Sequence, residues 1–266
     1  MQLLSSILDH HTATFVWRER ARAAAVHLGA SACVAALAAL LVFAAWFPPP
    51  YNQISGGRDL FLLVVGVDVV LGPLLTFAIF DRAKPAAGLR RDLALVVLLQ
   101  MAGLGYGLWT AHLARPVHLA FEFDRFRVVH QSDIPVDLEG KVPSGMEAPA
   151  FGGPTLLAVR PFTDARQQAE ATLLAMQGIQ LGARPDLWEP YEAARQRVLQ
   201  AARPVSDLEK RFPQQKAQIE AALARGNHDA AHASYLPLVA RKAQAWTVLL
   251  DASTADVIGY LPLDSF

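Results

Sequence analysis

Two histidines near the end of the sequence have the spacing of a metal site. His228 and His232 are separated by Asp-Ala-Ala, which repeats the zinc-binding H-E-x-x-H pattern with Asp in place of the Glu base. Asp is one methylene shorter than Glu, and the segment follows a predicted helix end at Gly226 and Asn227 instead of lying within a long helix. The sequence therefore predicts neither a metal site nor any other cofactor.

Asp68 is a second candidate, because it lies within an apolar run that is long enough to cross a membrane. A carboxylate about eight residues into a span costs about 3 kcal/mol unless it is protonated or partnered, so it must face protein or water. An intramembrane aspartyl protease needs two facing acids, and Asp68 is the single acid in the apolar runs. Two interpretations remain: Asp68 binds a partner or handles a proton, or it locks helices together.

Other polar residues of the apolar runs fall close to Asp68 in depth. Tyr106 lies at nearly the same depth from the same surface, which predicts a hydrogen bond between these two side chains. Gln100 lies near the level of Pro73, whose ring removes the donor for the carbonyl of Val69, and its amide is expected to replace that donor. The candidate partner-binding or helix-packing residues are Asp68, Gly72, Pro73, Gln100 and Tyr106.

No other set of residues has the makings of a catalytic site. Ser144 lies in a predicted loop without the G-x-S-x-G spacing that exposes a nucleophile. A formal net charge of +0 leaves no basic surface of the kind that nucleic acid requires. The single cysteine, Cys33, cannot form a disulfide within the chain. We therefore expect a protein that is not an enzyme and does not bind nucleic acid.

Three apolar stretches must position the polar residues. They run from about Ala23 to Phe47, from Leu60 to Phe80 and from Leu93 to Ala114, and each reaches the roughly 20 residues that a crossing helix needs. Three consecutive prolines, residues 48–50, end the first stretch. At about 25 residues this stretch is too long for the core of a signal peptide, which favours an uncleaved anchor. The sequence thus predicts three transmembrane α-helices in contact with membrane lipid.

The basic residues indicate an orientation. Those before the first span and between the second and third are Arg18, Arg20, Arg22, Arg82, Lys84, Arg90 and Arg91. The loop between the first two spans has only Arg58. By the positive-inside rule the N-terminus is cytoplasmic and everything after Ala114 is outside, which means a multi-pass protein of a bacterial inner membrane with a periplasmic C-terminal domain. The expected parts are a cytoplasmic N-terminal extension (1–22), a three-helix transmembrane domain (23–114) and a periplasmic domain (115–266).

The periplasmic domain has the pattern of an α+β fold. Apolar residues alternate from Val117 to Phe123 and then change parity, which predicts a strand with a bulge near Asp124 and Arg125. A strand is predicted at 155–160, helices at about 163–177, 187–202 (with Asp186 as N-cap) and from Ser206 onward, and two strands at 246–250 and 256–261. These elements favour a small antiparallel sheet with inserted helices.

Three stretches together resemble the type IV pilin accessory protein family of the TfpX/TfpZ type. They are Trp-Phe-Pro at 46–48 and onward to Gly57, Gly-Val-Asp-Val-Val-Leu-Gly-Pro-Leu-Leu-Thr at 66–76, and Ala-Arg-Pro-Val at 114–117 and onward to Phe126. The resemblance covers about residues 18–129 and returns in the final strand pair. It implies a non-enzymatic inner-membrane helper, a chaperone or assembly modulator, whose partners are the type IV major pilin and the pilus assembly machinery.

The polar residues of the spans bear on the rival classes of function. A small membrane enzyme or transport subunit would use Asp68 together with the outer domain. A transporter would be expected to carry more intramembrane polar groups and an internal repeat, and the sequence has neither. A membrane sensor would need a cytoplasmic output domain to report binding, and the sequence does not predict one. We therefore expect a polar site around Asp68 to recognise a polar feature of the pilin helix.

Overall fold

A computed structural model describes residues 2–146, 152–241 and 245–266, which form two compact units. The first unit takes in the described residues up to Ala44 together with Arg58–His112. The second consists of Ala45–Gly57 and Leu113–Phe266. The segment between the first two apolar stretches therefore folds with the C-terminal domain and not with the helices that flank it.

The first unit is helical. Its elements are α1 (Gln2–Leu40), which continues as a π-helical turn (Leu41–Trp46), α3 (Gly57–Ile79) and α4 (Ala86–Leu113), while the short helix α2 (Tyr51–Ile54) belongs to the second unit. These segments are helical because long runs of Leu, Val, Ala and Phe carry few charges and no internal breaker apart from Pro73.

Two described helical segments are long and apolar enough to cross a membrane. They are Trp17–Trp46 and Ala86–Leu113. The apolar part of α3, Val65–Ile79, is shorter. Two of the three predicted spans are thus compatible with membrane association, and the span in α3 stays a prediction.

The second unit is built on an eight-stranded mixed sheet. Its strands are β1 (Pro116–Glu122), β2 (Arg125–His130), β3 (Thr155–Val159), β4 (Trp188–Pro190), β5 (Arg203–Pro204), β6 (Ala233–Val239), β7 (Ala245–Asp251) and β8 (Val257–Leu261). The order is β4-β3-β1-β2-β6-β7-β8, and β5 pairs with β6 off this path. Helices α5 (Ala165–Met176), α6 (Tyr191–Ala201), α7 (Val205–Arg211) and α8 (Lys216–Arg225) lie between β3 and β6 in the chain.

The prediction of a small antiparallel sheet is wrong in two respects. The sheet is larger, and β1 pairs in parallel with β3, as β2 does with β6. Alternating apolar residues reveal which face of a strand is buried, but neither its direction nor its neighbours, and long connections permit parallel crossovers. The change of parity after Phe123 marks the β1–β2 hairpin turn, with a φ of +61° at Phe123, and not a bulge.

The predicted helices match α5 to α8 except at one start. Helix α6 begins at Tyr191 and not at Leu187, because Trp188–Pro190 pairs with β3 as strand β4. Asp186, expected to cap this helix, is instead hydrogen-bonded by the guanidinium of Arg184. The capping prediction was wrong because a sequence window cannot reveal that a three-residue segment has a strand partner.

The segment between α1 and α3 inserts side chains into the core of the sheet domain. Tyr51 and Ile54 of α2 are buried in the same cluster as Phe121 of β1 and Leu238 of β6. The hydroxyls of Tyr51 and Tyr260 lie 2.7 Å apart and share a hydrogen bond. Burial first, and then the neighbouring Tyr260, raises the pKa of the Tyr51 hydroxyl above its ordinary value, so it remains protonated. Residues 45–57 are therefore a structural part of this domain.

The opposite face of the sheet buries a histidine. His118 of β1 lies edge-on to the ring of Trp188, with 4.4 Å between ring centroids, and its Nδ1 is 2.7 Å from the hydroxyl of Thr155. Burial lowers the pKa of His118 from 6.5 to about 4, because the charged imidazolium would lose its hydration. The side chain is therefore neutral at physiological pH.

Replacing Ile54 tests the insertion of α2. Ile54→Ala is expected to lower the free energy of unfolding by about 2–5 kcal/mol, because it removes a fully buried side chain from the core. The matched control is Gln53→Ala, whose side chain is exposed one position earlier. Denaturant unfolding of the detergent-purified full chain, followed by circular dichroism, measures both. Equal stability of the two variants would show that α2 does not pack in the core.

Replacing His118 tests its depressed pKa. Between about pH 6.5 and 4 the unfolded chain binds a proton that the folded chain does not, so the stability of the wild type falls as the pH falls through this range. The expected loss is about 3 kcal/mol in total. His118→Leu removes this contribution, and the difference in unfolding free energy between the two proteins should change over that window. A constant difference would mean that His118 titrates normally.

Candidate functional site

A chain of polar side chains links the three helices of the first unit. His27 of α1 has its Nδ1 2.5 Å from the hydroxyl of Thr76 in α3 and its Nε2 2.6 Å from Oε1 of Gln100 in α4. Each ring nitrogen thus contacts a different helix. Away from water such hydrogen bonds replace the lost hydration of the polar groups. The cluster of His27, Thr76 and Gln100 therefore holds the three helices together.

Gln100 also contacts the helix turn that Pro73 weakens. Its Nε2 donates to the main-chain carbonyl of Asp68 at 2.9 Å, one residue before the carbonyl of Val69 that was expected to accept. Gly72 permits this approach, because a Cβ at that position would overlap the Gln100 amide. Gln100 therefore lies at the proline turn, but the predicted bond to the Val69 carbonyl is wrong, because the acceptor is the carbonyl one residue earlier.

Asp68 faces a cavity within the same unit. The cavity has a volume of about 270 Å³, and its lining includes His27, Ser31 and Gln100 besides apolar side chains of all three helices. Oδ2 of Asp68 is buried and has no hydrogen-bond partner among the described residues. An unpartnered carboxyl oxygen in apolar surroundings is costly, so its neighbourhood is suited to an incoming hydrogen-bond donor.

The expected hydrogen bond between Asp68 and Tyr106 is absent from the described contacts. The side chain of Tyr106 is 68% exposed and packs against Trp109, with 5.9 Å between ring centroids. The prediction matched the two residues in depth alone. Tyr106 follows Gln100 by six positions, which turns it about 120° around the helix axis away from the face that carries Gln100.

The sequence reasoning missed His27 and Thr76. His27 is the one His, Lys, Arg, Asp or Glu in the first apolar stretch, and the rule that drew attention to Asp68 applies equally to it. Thr76 lay within the stretch that carries the family resemblance, where its role in hydrogen bonding was not recognised. The polar site of this unit therefore centres on His27, Thr76 and Gln100, with Asp68 at the cavity beside them.

In the second unit, Ser55, His130 and Asp133 have the connectivity of a catalytic triad. His130 Nε2 is 3.0 Å from the hydroxyl of Ser55, and Nδ1 is 3.0 Å from Oδ2 of Asp133. Burial acts to raise the pKa of Asp133, but hydrogen bonds from His130 outweigh it and hold that pKa below its ordinary value. Ser55 is only 1% exposed, so its hydroxyl is closed off from solvent. The three residues fasten the segment after α2 to β2.

The His-Asp-Ala-Ala-His segment does not form a helix or a metal site. Asp229 accepts hydrogen bonds from the backbone N–H groups of Ala231 and His232, which closes a turn ahead of β6. His228 lies near Asp251 instead of beside His232. No group of three metal-binding side chains occurs among the residues that the structure describes.

Apolar helices joined by polar contacts are compatible with association with a membrane. Comparison with known proteins shows the family of this chain. A family model described as "Fimbrial assembly protein FimB" matches residues 15–56. The fimbrial assembly protein of serogroup I from Dichelobacter nodosus is 34% identical over 248 residues, covering 92% of this chain and 96% of the relative. The serogroup E1 protein is 33% identical over the same length and coverage. No solved structure matches the chain.

The chain therefore belongs to the fimbrial assembly protein family. A shorter relative, for serogroups C1 and C2 of Dichelobacter nodosus, is 39% identical over 117 residues, which is 44% of this chain. This membership confirms the resemblance to pilin accessory proteins that the three motifs indicated.

A pair of glycines in α3 tests the packing at the Pro73 turn. Gly72→Ala is expected to lower stability by about 1–3 kcal/mol, because the added methyl group must displace the Gln100 amide and break its bond to Asp68. Gly66→Ala is the matched control, since a Cβ there meets no atom within 4 Å. The thermal midpoint of the detergent-purified protein measures both. If Gly72→Ala is as stable as Gly66→Ala, Gln100 does not hold this turn.

Proposed function

We propose that this protein is a non-enzymatic accessory protein of the bacterial inner membrane that assists the type IV major pilin during pilus assembly, as a chaperone or assembly modulator. The proposal is supported by relatives that are named as fimbrial assembly proteins and are similar over almost the whole chain. It is also supported by the burial of Ser55, which closes the serine that is hydrogen-bonded to His130 off from solvent.

The observation that carries the topology is the inclusion of residues 45–57 in the sheet domain. Two segments that fold together in water must lie on one side of the membrane, so an even number of crossings separates them. Only α3 and α4 lie between them, and α4 is long and apolar enough to cross. We infer that α3 crosses as well, which gives three spans, and the arginines put the sheet domain in the periplasm.

We propose that Asp68 and its cavity recognise a polar side chain on the membrane helix of pilin. A cavity lined mainly by apolar side chains suits a hydrophobic helix, while the unpartnered Oδ2 of Asp68 calls for a donor on that helix. Gly72, Pro73 and Gln100 hold the turn of α3 that carries Asp68. Tyr106, with its exposed ring beside Trp109, contributes an aromatic surface on the lipid side of α4.

Deleting the gene in its host and complementing with variants tests this function. Deletion is expected to reduce pilin abundance or surface pili, measured by immunoblot and electron microscopy. Wild-type protein should restore them and Asp68→Ala should not, because it removes the acceptor for the pilin helix. Val67→Ala is the matched control, an exposed neighbour on the same helix.

The outcomes separate the rival classes. Unchanged pili on deletion would contradict the accessory function and favour a membrane enzyme or transport subunit. Normal pili and normal pilin co-purification with Asp68→Ala protein would leave the accessory function standing and remove Asp68 from the pilin site.

A further inference from the structure

A cavity of about 560 Å³ opens in the sheet domain where two strands separate. Strands β2 and β6 pair only through Phe126 with Leu238 and Arg127 with Val239, although β2 continues to His130. Beyond Val239 the sheet is therefore split on this side of β2. The cavity is bounded by the end of β2, the turn that follows it, the segment after α5 and the residues after β6. Its volume falls within the range of ligand and peptide sites.

Two guanidinium groups line this cavity, Arg127 and Arg241, and each has donors without a hydrogen-bond partner among the described residues. Arg127 Nε contacts both carboxylate oxygens of Glu122, and no hydrogen bond to its terminal nitrogens occurs within the described part of the chain. Glu122 also accepts from the backbone N–H of Gly182 and does not line the cavity itself. Arg241 is the second guanidinium, exposed at the end of β6.

Arginine side chains outnumber carboxylates in the lining. Asp133 is the one carboxylate there, and its Oδ2 already accepts hydrogen bonds from the backbone and ring of His130. A cavity with two guanidiniums and one engaged carboxylate is complementary to a ligand that brings its own carboxylate, which an arginine can bind through two parallel hydrogen bonds.

Two exposed apolar residues are next in the chain to residues that line the cavity. Val136 is 83% exposed and Met176 is 81% exposed. Their chain neighbours, Pro135 and Gln177, line the cavity. Large apolar groups beside a donor-rich pocket are typical of protein-binding surfaces, in which an apolar anchor is buried next to a charged contact. A free anion or a sugar would gain nothing from them.

We propose that this cavity binds an extended segment of a partner protein that places a carboxylate between Arg127 and Arg241 and an apolar side chain against Val136 and Met176. The partner segment belongs to the periplasmic part of the major pilin, an identification that rests on the function proposed above. The contact is separate from the cavity beside Asp68, so pilin would be held at two places, one in the membrane and one outside it.

Overlapping peptides that cover the periplasmic part of the host's major pilin test this proposal. They are titrated into the full chain in lipid nanodiscs, and fluorescence anisotropy measures binding. Peptides with Asp or Glu next to an apolar residue should bind, and Arg241→Glu and Met176→Glu should each weaken binding at least tenfold. Arg166→Glu, at an exposed arginine near the start of α5 that does not line the cavity, should change it less than twofold.

Each of the remaining outcomes would overturn either the binding site in the cavity or the proposed function. If no peptide binds, or if binding is the same in both cavity variants as in the control, the cavity is not a partner site. Binding of millimolar acetate or phosphate without any peptide binding would show a simple anion site and contradict the proposal. Loss of pili on gene deletion with no peptide binding would reject the cavity alone, whereas unchanged pili would reject the proposed function instead.

Discussion

The burial of Tyr51 and Ile54 in the core of the sheet domain is the constraint on which the rest of the structure depends. These side chains come from a segment of 13 residues, Ala45–Gly57, that lies between two apolar helices, yet they pack with strands more than 60 residues further along the chain. The hydrogen bond between Tyr51 and Tyr260 and the contact of Ser55 with His130 fix the segment at two further points. The fold of this domain therefore needs a segment that lies far from its strands in the chain.

A second constraint acts on the helices themselves. Apolar helices in lipid gain little from burying apolar surface against one another, so specific polar contacts and close approach decide how they pack. His27, Thr76 and Gln100 provide those contacts, and Gly72 provides the close approach. The same reasoning separates the hydrogen-bonded polar groups from Asp68, whose Oδ2 faces a cavity and has no partner in the part of the chain that the structure describes. The hydrogen-bonded side chains hold the helical unit together, and the Oδ2 atom of Asp68 is the group that we propose binds a partner.

The sequence allowed prediction of local features more than of long-range ones. Composition and run length identified the apolar helices, and alternation identified β1, β3, β7 and β8, because each depends on residues close in the chain. The parallel pairing of β1 with β3 and the insertion of α2 depend on contacts between distant segments, which no local pattern reveals. At the site, Gln100 was placed at the Pro73 turn by helix geometry, whereas Tyr106 was misplaced because depth was considered without rotation. His27 was detectable by the rule applied to Asp68.

A designed disulfide tests most directly whether residues 45–57 fold with the sheet domain on the oxidising side of the membrane. A Cβ at Gly153 would lie 3.8 Å from the Cβ of Pro48, a separation that suits a disulfide. In a Cys33→Ser background, Pro48→Cys with Gly153→Cys should form this bond in growing cells, so that neither thiol reacts with a maleimide until a reductant is added. Two thiols that stay reactive in cells and also after a membrane-permeant oxidant would contradict the account, because they would place the two segments apart.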